Sequence, residues 1–133
     1  MKLAIGLVLV LIVAALAFVR LAPSDPARWH QMPESVTNRD LAGGAMRRVE
    51  GDLATLDASI RATARTRVLA GGLDQGMITY VTRSRVFGFP DYTTVRRNDD
   101  MLEIYGRLRF GKSDLGVNAA RIDGWLDRIA QAG

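Results

Sequence analysis

From Leu3 to Val19 the chain runs through seventeen consecutive apolar or glycine residues, closed off by Lys2 on one side and Arg20 on the other. A run of this length has few solutions. With Leu21 and Ala22 added, Arg20 snorkelling outward, about 20 helical residues at about 1.5 Å each reach about 30 Å, enough to cross a bilayer. The rival is a cleaved signal peptide, for which Ala15-Leu16-Ala17 supplies a small-residue pattern. The run exceeds the usual signal core of about 7 to 15 residues, so an uncleaved anchor is the expectation. Lys2 and the terminal amine favour a cytoplasmic amino terminus, and although Arg20 and Arg28 weaken that bias, the leading tail is very short. The sequence therefore predicts a single-pass inner-membrane protein with its carboxy-terminal domain in the periplasm.

The chain divides by composition. Residues 1–22 form the anchor. Residues 23–44 read as a juxtamembrane linker, because Pro23 to Pro33 holds three of the four prolines together with Ser24, Asp25, Trp29 and His30. Trp29 suits either an interfacial anchor or a cap on the edge of the domain. Residues 45–133 are long enough for one α+β domain with its own core. The chain has no cysteine, so disulfides, thiolate nucleophiles and Cys-ligated metals are excluded, and His30 is its single histidine. Net charge is +4, and every cation but Lys2 and Lys112 is an arginine.

Within the domain, Ala45 to Val49 is expected as a first strand. Asp52 then caps a helix whose Leu53, Leu56, Ile60 and Ala64 share a face, with Asp57 and Arg61 at i and i+4 on the outer side. Thr66 to Ala70, Met77 to Arg85, Asp91 to Arg97 and Met101 to Phe110 read as strands, with the glycines from Gly71 to Gly76 and the run Asn98-Asp99-Asp100 as turns. The last strand alternates most clearly. Leu102, Ile104, Gly106, Leu108 and Phe110 fall on one side, Glu103, Tyr105, Arg107 and Arg109 on the other. Gly106, on the apolar side, marks a close approach, expected from a helix laid across the sheet. A final helix from about Asp114 to Ala130 carries Leu115, Ala119, Ile122, Leu126 and Ile129 inward, with Ser113 as its cap. The predicted architecture is one transmembrane helix followed by an antiparallel sheet of about four to five strands with two helices on one face.

Chemistry is sparse in this pattern. Arg83 and Arg85 share parity on one strand, as do Arg107 and Arg109 on another, and Lys112 comes close behind. If both pairs use the outer face of the sheet, they form a candidate anion-binding patch; the alternative is pairing with Glu103, Asp91 and Asp114, or simple solvation. No catalytic constellation forms, since a serine nucleophile needs a base within reach and the single histidine, His30, lies in the linker. Neither a metal site nor a cofactor is expected. Nucleic acid is disfavoured by the few aromatic residues and the external placement.

Two stretches carry a resemblance. Arg83-Ser84-Arg85-Val86-Phe87-Gly88-Phe89-Pro90-Asp91, and Gly111 to Arg121 with its Ser113-Asp114-Leu115-Gly116-Val117-Asn118 centre, resemble the signature stretches of the domain-of-unknown-function family 1499, over roughly Met46 to Ile129. The chain departs from the family pattern at Pro90, at Tyr92 and through Gly106-Arg107-Leu108-Arg109, and it lacks the Cys often found near the start of the domain. The resemblance implies a small exported or membrane-attached domain and supplies no activity. Ser113, Asp114, Leu115, Asn118 and Arg121 are expected to form a structural junction, with Leu115 in the core and Asn118 and Arg121 reaching back toward Arg83 to Asp91. The leading functional reading is a non-enzymatic component of a membrane or envelope protein complex, with the bilayer and that complex as partners. The alternatives are an anion binder acting through the arginines and an enzyme on an envelope substrate.

Overall fold

The computed structural model describes residues 1–132. Helix α1 (Lys2–Leu21) projects from the domain and meets it only through its last turn: its apolar window has a mean hydropathy of 2.8 and none of it is buried. Helices of this kind at an amino terminus serve as membrane anchors or as signal sequences. A single turn, α2 (Pro26–Trp29), comes next, with Asp25 accepting the Ala27 N–H at 3.0 Å and Pro26 at the first helical position, where a missing N–H costs nothing. Then come β1 (Arg39–Leu41), β2 (Gly44–Glu50) and α3 (Leu53–Arg61), the last capped by Asp52, which accepts the Thr55 N–H at 2.9 Å. The chain continues through β3 (Thr66–Gly72), a 3-10 turn at Leu73–Gln75 closed by left-handed Gly76, β4 (Met77–Arg83), β5 (Pro90–Asn98), β6 (Met101–Leu108) and α4 (Val117–Ala132).

All six strands join one antiparallel sheet in the order β1-β2-β6-β5-β4-β3. This is one strand more than the upper expectation. The addition is β1, whose Arg39, Asp40 and Leu41 carry no alternation and pair with β2 through a tight turn at Ala42 and Gly43. The four strands from β3 to β6 form a meander, and α3 carries the chain from β2 across the sheet to β3. Helices α3 and α4 lie on one face, where Leu53, Leu56, Ile60, Ile122 and Trp125 bury against Ile78, Tyr80, Val95, Leu102 and Ile104. Gly106 is the point of closest approach, since a Cβ there would stand 2.9 Å from Ile122 Cδ1 and 3.1 Å from Asn118 Oδ1. Asp57 departs from its expected outward position: it is buried and accepts the Tyr80 hydroxyl at 2.6 Å while also pairing with Arg61. Burial, reinforced by this carboxylate, pushes the Tyr80 phenol up.

The opposite face is not solvated. Of residues 23–44, expected as a linker, 39–44 form β1, the turn and the start of β2, and 23–38 lie along the sheet as an arm: Trp29 and Val36 are buried, as is Ala22 just before it, and Trp29 stacks on Tyr92 with ring centroids 3.9 Å apart and planes 10° off parallel. Val81 and Leu69 complete this second core. Ser24 shares a hydrogen bond with the Tyr92 hydroxyl at 2.7 Å, His30 Nδ1 shares one with Thr79 at 2.8 Å, and Arg96 donates to the Pro33 carbonyl. Proline is no obstacle to such an arm, because the Pro23 and Pro33 carbonyls accept from Arg109 and Arg96, the Pro26 carbonyl accepts the His30 N–H, and the absent N–H groups ask for nothing.

Candidate functional site

Beyond β6 the backbone turns through Gly111, Leu115 and Gly116, all at positive φ. Asp114 organises this turn. Its Oδ1 accepts the Gly116 N–H at 3.0 Å, and its Oδ2 accepts both the Asn118 N–H and Nδ2 at 2.9 Å. Ser113 was expected to cap α4, yet its hydroxyl accepts only the Leu115 N–H at 3.3 Å. The longer carboxylate reaches the first turn from one residue further on. Leu115, expected in the core, is 92% exposed, because its left-handed φ of 54° places it at the tip of the turn.

From the same turn, Asn118 and Arg121 reach the start of β5. Asn118 is fully buried and donates to Asp91 Oδ2 at 3.3 Å, and Arg121 donates to the same oxygen at 3.2 Å and to Asn118 Oδ1 at 3.0 Å. Burial raises the Asp91 carboxyl, and Arg121 offsets only part of the shift. Burial also pulls Asp114 upward, but there the hydrogen bonds from Asn118 and Gly116 win and hold it below the usual carboxylate range. Two carboxylates, one amide and one guanidinium thus form a clasp between helix and sheet. Each of these polar groups is engaged by another member of the clasp.

The arginines do not meet on an open sheet face. Arg107 is buried under the arm, donating to Thr94 Oγ1 at 2.8 Å and to the carbonyls of Tyr105, Trp29 and Gln31. Its guanidinium lies 4.6 Å from the Tyr105 ring centroid and 5.7 Å from that of Trp29. Burial pushes it down to about 10, which leaves it charged at neutral pH. Arg109 donates to the Pro23 carbonyl at 2.9 Å, again holding the arm, and Arg83 donates to the carbonyls of Gly88 and Val19. Arg85 is exposed in the turn past the end of β4, and Lys112 is exposed between β6 and α4. The proline-rich arm covers Arg107 and engages Arg109, a role its composition does not advertise, so the five cations do not gather on one open sheet face, while Arg85 and Lys112 stay exposed.

A grouping that the sequence did not reveal surrounds the end of α1. Arg20 donates to the Val86 carbonyl at 2.8 Å. The Ser84–Phe89 loop is closed by Ser84, which exchanges backbone hydrogen bonds with Gly88 and Phe89 and accepts the Phe89 N–H on its hydroxyl at 2.9 Å. Gly88 is required twice over, by its φ of 73° and by the Arg20 side chain, which would lie 2.9 Å from an added Cβ. Phe18 meets Phe110 edge-on at 6.1 Å, Phe89 lies 6.3 Å from Phe110, and Phe87 lies 5.8 Å from Phe89. The only local signal was Phe87-Gly88-Phe89, since Phe18 and Phe110 arrive from distant segments.

No curated protein and no solved structure matches the chain. A family model described as Protein of unknown function (DUF1499) matches residues 18–129. That span begins well upstream of Met46, in the last turn of α1, and takes in the arm that Arg107 and Arg109 hold on the sheet. With most of its length covered and both signature stretches folded into one junction, the chain belongs to this family.

Proposed function

We propose that the protein is a single-pass, non-enzymatic membrane component whose domain faces the periplasm and serves as an accessory or interaction part of a membrane or envelope protein complex. The observation that carries this reading is the way α1 enters the fold. An unburied, apolar helix passes without slack into Ala22, Ser24 and Trp29, all fixed to the sheet, while Arg20 and Val19 are bonded to the β4–β5 side. A domain that needed only to stay near a membrane could hang on a loose tether. One held at a set height and angle presents a particular surface to neighbours in the same bilayer. The clasp at Asp91, Asn118 and Arg121 supports the non-enzymatic half of the reading, because its polar groups satisfy one another rather than converge on a vacant centre.

Purification of the tagged full-length chain in a mild detergent, with mass spectrometry of what accompanies it, tests the proposal. A stoichiometric membrane or envelope protein is expected. Recovery of the chain alone, from both mild detergent and crosslinked membranes, would overturn the accessory role.

A further inference from the structure

The α1 helix is also a depth gauge. Its 20 residues rise about 1.5 Å each, close to the roughly 30 Å of bilayer hydrocarbon, so its last turn, Phe18 to Leu21, stands at the boundary with the headgroups. The Ser84–Phe89 loop is bonded to that turn through Arg20 and Val86 and lies at the same depth. At its tip Val86 is 71% and Phe87 50% exposed, beside the exposed Phe18 and Phe89. Nothing else in the described chain covers them. In water this would be an uncompensated apolar tip; at the headgroup level it is the aromatic composition that interfaces select.

The charges around it are mostly cationic. Arg20, Arg85, Arg109 and Lys112 are carried by the end of α1, the β4–β5 loop and the β6–α4 connection. The carboxylates at this end, Asp91 and Asp114, are already engaged by Arg121 and Asn118. At the other end of the sheet, where Glu50 pairs with Met101, stand Asp52, Asp99 and Asp100. The end of the domain next to α1 is therefore basic, whereas at the far end Arg48, Arg96 and Arg97 stand among the acids, and a basic end toward the membrane is what anionic phospholipid favours.

We infer that the β4–β5 loop is a lipid-binding element: Val86 and Phe87 enter the headgroup region of the bilayer that carries α1, while Arg85 and Lys112 engage the phosphates of anionic phospholipid. This rests on α1 spanning the membrane, and the test separates the two. Because the chain has no cysteine, single probes can be placed cleanly. Val86→Cys, Val10→Cys at the middle of α1 and Asp74→Cys, each in the full-length chain, would carry a nitrobenzoxadiazole label. They would be reconstituted in nanodiscs of equimolar phosphatidylcholine and phosphatidylglycerol containing doxyl-labelled lipid. Quenching at Val10 and Val86, several-fold stronger than at Asp74, is expected. Quenching at Val10 with Val86 as unquenched as Asp74 overturns the lipid contact and leaves the anchor standing, pointing to water or a protein at the loop. No quenching at either position removes the anchor and the inference together. Arg85→Gln with Lys112→Gln should reduce quenching at Val86 in the mixed discs and leave it unchanged in phosphatidylcholine alone; equal quenching in both variants and both lipids overturns the role of the charges.

Discussion

Replacing Gly106 by Ala probes the contact that fixes α4 to the sheet. The new Cβ would stand 2.9 Å from Ile122 Cδ1 and 3.1 Å from Asn118 Oδ1, both nearer than side-chain carbons ordinarily come. Ile122 ends in a methyl group that can shift by a few tenths of an ångström. Asn118 has no such latitude, since its amide is held by Asp91, Asp114 and Arg121 at once. Overpacking of this kind costs about 1–3 kcal/mol. The substitution also restricts the unfolded chain, which returns about 0.4–1 kcal/mol. The steric term is larger, so a net loss of about 1–2 kcal/mol is expected. For a domain of this size each kcal/mol moves Tm by roughly 4–8 °C. Gly124 in α4 supplies the control: a Cβ there has no atom within 4 Å, and Ala in a helix interior is favoured over Gly by about 0.5–1 kcal/mol. Thermal unfolding of the full-length chain in detergent, monitored by the fluorescence of Trp29 and Trp125, should show the two substitutions moving Tm in opposite directions. A Gly106→Ala chain that melts at or above the parent would mean that α4 does not cross the sheet at β6, and the junction as described would fail with it.

The same geometry sets three further outcomes. Trp29→Ala should cost about 3–5 kcal/mol by emptying the core between arm and sheet, with Trp29→Phe retaining most of the stability; an unchanged denaturation midpoint for the alanine variant would show the arm undocked. Leu115→Ala should stay within about 0.5 kcal/mol of the parent because the side chain is 92% exposed, whereas Leu53→Ala, at 1% exposure, should lose about 2–5 kcal/mol; similar losses at both positions would contradict the exposed turn. For pH, Asp91 has a raised carboxyl, so its protonation favours the folded state and its stabilising contribution is lost as pH rises from 3.8 through the raised value. Asp114, held low, contributes above 3.8 and loses that contribution as pH falls. Asp91→Asn removes the opposing effect, so denaturant midpoints measured over a pH series should fall more steeply on acidification than in the parent; a parallel or shallower fall would refute the assignment.

The apolar half of the fold was legible in the sequence because its cause is local. Leu102, Ile104 and Gly106 alternate on β6, and Leu53, Leu56 and Ile60 recur on α3, so the face they share and the helix passing over Gly106 could be read from spacing. The other face could not, since Glu103 and Arg107 look solvated by their chemistry and are buried by an arm distant in the chain. Leu115 misled for a different reason: its hydrophobicity argues for the core, while the turn that Asp114 builds gives it a left-handed backbone and points it outward. The link from Asn118 and Arg121 back to Asp91 was visible in the motif. The aromatic group at the end of α1 was not, because Phe18, Phe87, Phe89 and Phe110 meet only once α1, the β4–β5 hairpin and the end of β6 are placed together.

That the domain is fixed to the bilayer by its own first helix is open to a direct measurement. Membranes from cells expressing the chain with a carboxy-terminal tag would be washed with alkaline carbonate, and the mass of the retained protein determined intact. A membrane-retained chain that still includes α1 is the predicted result; a released chain beginning at Phe18 would contradict the anchor.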